Sequence, residues 1–220
     1  MDLSLFIKYG PSLLQGFGVT VMCWLLGSLI GLAAGFLLAI LYRNVRALRL
    51  LLRVVIEAIR GTPFLVQLFL LYGAGPSIGI RLNAPTAGVV ALGIYSAAYL
   101  AEIFRGGFDA APQGQIEAAL SLGMKRSTVL RRITMPSVIA VITPAIVNML
   151  IVLSKETVVL SVITVPELMY ATQTMAGDTF ATLQSFIALA LFYWLFIETI
   201  ARGGKWVERR FSRHQPEKRT

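Results

Sequence analysis

Charged residues are scarce in this chain. Asp, Glu, Lys and Arg together make up 14% of its 220 residues, whereas 56% are hydrophobic. An ordinary soluble domain carries about a quarter charged residues, so this composition excludes such a domain. The chain is therefore expected to lie in a lipid bilayer.

The sequence has one histidine and one cysteine. His214 lies near the C-terminus, which excludes a histidine-paired nucleophile or an H-E-x-x-H metal site in the apolar part of the chain. Cys23 lies inside an apolar run, where we expect a small buried hydrophobic residue. The sequence thus predicts no catalytic residue and no metal site.

The phosphate-binding pattern G-x-x-x-x-G-K-[ST] is also absent. The segment Gly203-Gly204-Lys205-Trp206 lacks the first glycine and the hydroxyl residue. We therefore expect that the chain is not an enzyme and binds no cofactor of its own.

Five windows without a charged residue are long enough to cross a bilayer, at 9–42, 61–80, 82–101, 133–154 and 179–197. A spanning helix needs roughly 17 to 25 residues. The first window exceeds the apolar core of a cleavable signal peptide and is expected to be the first span. The apolar stretch 157–166 is too short to span and predicts a re-entrant or surface helix. The predicted fold is all-α and polytopic, with about five transmembrane helices.

The basic residues that produce the net charge of +9 lie mainly in the loops between these windows and in the C-terminal tail. Basic residues are concentrated in alternate loops, at 43–53, 105–132 and 202–219, and only Lys8, Arg81 and Lys155 lie in the opposite set. This asymmetry predicts an external N-terminus, a cytoplasmic C-terminus and a cytoplasmic loop at 102–132. The basic excess is thus explained by topology and does not indicate a nucleic-acid partner.

Several residues inside the windows predict local structure. Gly27, Gly31 and Gly35 share one helical face, which favours close contact with another helix of the same subunit over a dimer seam. Arg53, Glu57 and Arg60 have helical spacing and are expected to pair along one stripe. Pro63 is expected to bend the second span.

The segment 116–139 interrupts the apolar pattern. Gln115–Leu122 favours a helix, Gly123 is suited to end it in a left-handed conformation, and Ser127 is a possible N-cap of a second short helix. Such a loop, fused to a span, is expected to transmit force from a cytoplasmic partner into the membrane.

Glu117-Ala118-Ala119, Gly123, Ile133 and Met135-Pro136 resemble the EAA loop of ABC importer permeases. The segments 60–67, 97–107 and 155–168 are similar to the polar amino-acid subfamily. The resemblance implies one transmembrane domain over 1–220, with the EAA loop at about 111–135. The composition of the segment at about 211–220 predicts a disordered basic tail. The resemblance also implies a bacterial plasma-membrane location, a second permease subunit that is identical or homologous, two cytoplasmic ATPase subunits that bind ATP and Mg, and an external solute-binding protein.

Site residues follow in three groups. The resemblance implies that the EAA loop docks on the ATPase through Glu117, Ala118, Ala119, Gly123 and Arg126. Polar side chains within the spans are candidates for the substrate pathway: Gln67, Tyr95, Tyr99, Asn148 and Glu156. Gating or structural roles are expected for Arg60, Pro63 and Glu102. For the second and third groups, interhelical hydrogen bonds or charges at the headgroups are an equal alternative.

Two other functions fit part of the pattern. A channel-like pore would also bury polar groups, although it would not need the EAA spacing. A permease for another small polar solute would share every feature named above. Dependence of transport on ATP distinguishes a channel from an importer.

Overall fold

The computed structural model describes residues 3–212, and every regular element in that range is helical. The α-helices are α1 (Leu3–Asn44), α2 (Arg49–Gly61), α3 (Phe64–Phe69), α4 (Ala84–Asp109), α5 (Gln113–Ser121), α6 (Arg126–Val129), α7 (Met135–Glu156), α8 (Leu168–Thr179) and α9 (Thr182–Ser212). Short 3₁₀ or π turns extend α3 to Ile78, join α6 to α7 and follow α7 to Ile163. The all-α prediction is confirmed.

Four continuous helical segments are long and apolar enough to cross a bilayer: Ile7–Asn44, Ala84–Asp109, Arg126–Ile163 and Thr182–Arg210. They contain the predicted first and fourth windows, and they include the third and fifth windows except for the first two and three residues, respectively. The second window is different. Its helix breaks at Thr62 and Pro63, and the two halves, Arg46–Gly61 and Phe64–Ile78, meet at 108°. The bend expected at Pro63 is therefore confirmed, because Pro63 lacks the amide hydrogen that would continue α2.

The helices α1 and α4 form the central pair of the bundle. Gly27 and Gly35 lie directly against Leu92 and Leu100, and a Cβ added to either glycine would come within 2.8 Å of a leucine Cβ. Gly31 lies against Ser96, whose hydroxyl donates to the Leu92 carbonyl at 2.7 Å. These contacts lie within one chain, as the glycine spacing predicts.

The loop before the fourth span folds as two short helices. The chain turns at Gly123, which has a left-handed φ of +79° and follows α5 as predicted. Lys125, not Ser127, occupies the N-cap position of α6, and Ser127 lies inside that helix. The prediction that Ser127 is the N-cap is wrong, because α6 already begins at Arg126, soon after the turn at Gly123. A π turn at Leu130–Thr134 then joins the loop to α7.

The stretch 157–166 is packed into the core. Leu160, Ile163 and Val165 are buried, which excludes the surface helix that its length suggested. Thr164 next adopts a left-handed backbone with φ +62°, and Glu167 then caps α8. Trp24 of α1 donates to the Leu150 carbonyl of α7 at 2.9 Å. The fourth span is thus tied to the first.

Candidate functional site

The break between α2 and α3 is closed by one amide side chain. The Gln67 Nε2 donates to the Ile59 carbonyl at 2.7 Å and to the carbonyl and hydroxyl oxygens of Thr62 at 3.1 and 3.0 Å. Thr62 in turn donates to the Ala58 carbonyl at 2.9 Å. The Gln67 Oε1 is buried and has no hydrogen-bond partner among the described residues. Gln67 thus holds the bend with its nitrogen and keeps a free acceptor beside it.

A column of aromatic rings runs from the bend along α4. Phe64 lies 5.3 Å from Tyr95, and Tyr95 lies 4.9 Å from Tyr99, measured between ring centroids. The Tyr99 hydroxyl donates to the Arg60 carbonyl at 3.3 Å, and the Arg60 guanidinium lies 5.3 Å above the Tyr99 ring. The column therefore connects the two halves of the broken helix to α4.

Glu102 forms an ion-pair cluster at the end of this column. Its carboxylate lies 2.6 Å from Arg105 and 3.8 Å from Arg60. The predicted pairing of Glu57 with Arg53 and Arg60 is wrong, because Arg60 turns towards Glu102 of α4 and Arg53 donates to the Tyr42 hydroxyl at 3.1 Å. The carboxylate of Glu102 thus joins α2 to α4.

Two further pathway candidates lie on α7. Glu156 is half-buried and lies within electrostatic range of the Tyr95 hydroxyl. Asn148 lies on an exposed face of α7 and makes no side-chain hydrogen bond within the described part of the chain. Exposing an unpaired amide to hydrocarbon costs free energy. We therefore expect this face of α7 to contact a partner subunit or a polar pathway.

A cavity of about 430 Å³ opens beside Gln67. Its wall is almost wholly apolar, with Ile59, Leu70, Leu71 and Ile94 around the Gln67 amide. The fold thus brings Arg60, Gln67, Tyr95, Tyr99 and Glu102 together around one bend. Asn148 is not part of this group.

The loop of α5 and α6 presents a polar surface. Glu117, Ala118, Gly123 and Arg126 are exposed, and Glu117 makes no ion pair within residues 3–212. Ala119 is buried, and its carbonyl accepts from the Met124 amide at 3.1 Å. Ala119 therefore closes the turn and does not contribute to the exposed surface. The loop is anchored by Ile116, which packs against the cluster of Ala111, Val138 and Ile142.

Sequence reasoning assigned no role to one buried carboxylate. Glu167 is fully buried, and it accepts from the amides of Met169 and Tyr170 at 2.9 Å each and from the Thr20 hydroxyl at 3.3 Å. Burial raises the pKa of Glu167 from 4.5 to about 7. The signal was an acidic residue directly before a helix, which is an N-cap pattern.

Comparisons with known proteins place the chain in a family. Residues 27–213 match the family of the binding-protein-dependent transport system inner membrane component. The chain is similar to the probable amino-acid ABC transporter permease protein PatM of Vibrio harveyi, with 32% identity over 96% of this chain and 97% of that protein. It is equally similar to the arginine transport system permease protein ArtQ of Bacillus subtilis, with 32% identity over 96% and 97%.

Solved structures agree with this placement. A crystal structure of an amino acid ABC transporter with histidines has a TM-score of 0.87 and 36% identity, covering 96% of this chain and 99% of that chain. The MetNI methionine ABC transporter in an inward-facing conformation has a TM-score of 0.69 at 17% identity, which shows the shared fold. The bent helix, the glycine-packed α1–α4 pair and the exposed EAA loop therefore belong to a multi-pass inner-membrane permease subunit, and the chain is a member of the binding-protein-dependent transport system inner membrane component family.

Proposed function

We propose that this permease carries polar amino acids inward by alternating access, driven by cytoplasmic ATPase subunits that dock on the EAA loop. The observation that carries the proposal is the pairing of an exposed α5–α6 loop, anchored by Ile116, with a polar bend between α2 and α3. Relatives with the same coverage are named as amino-acid permeases, which supports this cargo class. A channel that opens without ATP would not need a loop that docks on an ATPase.

Coupling is assigned to the exposed face of the loop. Glu117 offers an unpaired carboxylate to a basic group of the ATPase, and Ala118 and Gly123 allow close approach of that partner. Arg126 offers a charge of the opposite sign. Movement of this face reaches the fourth span through Ile116 and the π turn at Leu130–Thr134.

Recognition of substrate is assigned to the polar bend. The free Gln67 Oε1 can accept from an ammonium group, and Glu156 supplies the negative charge that such a group needs in a medium of low dielectric. Tyr95 and Tyr99 line the approach with aromatic rings, which also attract cations. Asn148 lies on an exposed face of α7, where it would meet a second permease copy or the pathway.

Gating is assigned to the contact between α2 and α4. Arg60 binds Glu102 across this contact, while Pro63 and Gln67 define the bend next to it. A change in the bend would therefore separate the pair. Two discrete arrangements of this element are what an ATP-driven transition requires.

The full assembly follows from these roles. It comprises this chain as one transmembrane domain over 1–220, a second identical or homologous permease, two ATPase subunits with ATP and Mg, and an external solute-binding protein. The N-terminus lies outside and the C-terminus inside, so that the EAA loop faces the ATPase. Helix α9 continues to Ser212, and the rest of the proposed disordered tail lies outside the described residues.

The test is ATP-dependent amino-acid uptake by the reconstituted complex. Glu117→Arg is expected to abolish uptake and substrate-stimulated ATP hydrolysis, because like charges would meet in the docking surface. Gln115→Arg is the matched control, since Gln115 is exposed on the opposite face of α5 and gains the same charge. Uptake that survives in Glu117→Arg, or flux without ATP in the wild type, would overturn the proposal.

A further inference from the structure

The helix α2 lies across the bundle. Segment 64–78 follows α4 in the opposite direction, since Phe64 stacks beside Tyr95 and Leu71 faces Ala91 across the cavity. Because α2 meets this segment at 108°, it lies close to perpendicular to α4. Because α4 is one of the segments long and apolar enough to span, a helix perpendicular to it runs close to the plane of the membrane.

The helix α2 has charged side chains on one side and apolar side chains on the other. Arg49, Arg53, Glu57 and Arg60 lie along one side, as their helical spacing requires. Leu50, Leu51 and Val54 on the other side have exposed fractions of 72%, 60% and 56%. A short helix with this division is typical of the boundary between headgroups and acyl chains.

Basic groups surround a cavity at the start of α2. The cavity has a volume of about 170 Å³ and is lined by Tyr42, Arg43, Arg49 and Arg105, with Phe108 and Asp109. Arg43 makes one long ion pair of 3.9 Å with Asp109 and lies 5.7 Å above the Phe108 ring. The side chain of Arg46, three residues further along the chain, makes no hydrogen bond or ion pair within residues 3–212. Between residues 43 and 60 five arginines accompany the lone acid Glu57. The cavity is therefore suited to an anion.

An apolar groove lies on the other flank of the same helix. It has a volume of about 240 Å³ and is lined by residues such as Leu37, Leu52, Val55 and Ile59. A free phosphate would leave this groove empty, and a soluble protein would have to bring a large apolar surface. A molecule with an anionic head and a hydrocarbon chain fits both parts.

We propose that α2 lies in the headgroup layer and that Arg43 and Arg46 bind the phosphate of an anionic phospholipid whose acyl chain lies in the apolar groove. Arg49 and Arg105 complete the basic wall, although part of their bonding capacity is committed to the carbonyls of Tyr42 and Arg43 and to Glu102. This inference concerns a lipid site and does not depend on which solute is carried.

The test is lipid retention by the purified complex. The permease with its ATPase is titrated with phosphatidylglycerol against phosphatidylcholine in mixed micelles, and bound lipid is counted by native mass spectrometry. Each basic residue near an anionic surface contributes about fivefold in affinity, so Arg43→Gln with Arg46→Gln is expected to lose roughly 25-fold for phosphatidylglycerol. Arg46→Gln alone, which removes no hydrogen bond or ion pair among residues 3–212, is expected to lose about fivefold.

Four measurements distinguish this lipid site from diffuse charge attraction, from a free-anion site and from a permease interface. Arg209→Gln with Arg210→Gln removes the same charge at the end of α9 and is expected to retain the lipid, whereas an equal loss there would overturn a specific site. Val55→Asn is expected to weaken both lipids, and glycerol phosphate is expected not to compete. Competition by glycerol phosphate, or a disulfide between two copies carrying Val55→Cys, would overturn the proposal in favour of a free anion or a permease interface.

Discussion

Replacement of Glu167 by Ala is expected to destabilise the permease strongly. The carboxylate caps α8 through two amide hydrogen bonds of 2.9 Å, and it joins α8 to α1 through Thr20 at 3.3 Å. The two partly buried amides left unpaired cost about 1 to 3 kcal/mol each, so the loss amounts to roughly 2 to 6 kcal/mol.

The Glu167→Gln variant distinguishes the effect of helix capping on stability from the effect of the ionisable carboxylate. The amide keeps one acceptor oxygen and the shape of the side chain, while it cannot ionise. Burial raises the pKa of Glu167 from 4.5 to about 7, so its contribution to stability is fully present below pH 4.5 and is lost as pH rises through 7. The melting temperature of the wild type is therefore expected to fall between pH 5 and pH 8 relative to Glu167→Gln.

Thermal unfolding of the detergent-solubilised complex measures both effects. Glu57→Ala is the control, because Glu57 is an exposed carboxylate whose loss is expected to change stability by less than about 0.5 kcal/mol. A Glu167→Ala variant that melts with the wild type would refute the capping argument. A pH dependence that is the same in wild type and Glu167→Gln would refute the assignment of the titration to this residue.

Other predictions concern the helix crossing, the bend and the gate. Gly31→Val is expected to cost about 1 to 3 kcal/mol or to prevent assembly, since the new side chain would meet α4, whereas Gly18→Val points into open space and is expected to be tolerated in a melting experiment. Gln67→Ala is expected to lower amino-acid uptake about tenfold, or 1.4 kcal/mol, with an intact complex, and full-rate uptake would remove Gln67 from the pathway. Arg60→Gln and Glu102→Gln are expected to be non-additive by about 1 kcal/mol in a double-mutant cycle of uptake rates, and strict additivity would show that the pair does not act as one gate.

Local patterns were sufficient where a single helix decides the structure. The charge-free windows predict the long spans because a charge in hydrocarbon is costly, and Gly123 predicts the turn after α5 because glycine adopts a positive φ readily. The glycines of α1 predict a close crossing of two helices, because a glycine has no Cβ that would collide with the neighbouring helix. None of these inferences requires knowledge of a distant residue.

Prediction from local sequence patterns failed where contacts between helices decide the structure. Glu57 is the helical neighbour of Arg60, yet Arg60 turns to Glu102, which lies far away in sequence. Ala119 belongs to the EAA pattern, yet packing turns it inward. In both cases the outcome depends on which side chain a second helix brings within reach.

The sequence by itself determined that the chain crosses a membrane as a bundle of helices and carries the loop of its family, since length, hydrophobicity and motif spacing are local properties. Only the tertiary structure decided that the second hydrophobic window is bent by 108°, that polar side chains from α2, α3 and α4 converge at this bend, and that Glu167 is buried against Thr20. The physical reason is that hydrophobic periodicity fixes where a helix runs, whereas partners of polar groups are chosen by packing between helices.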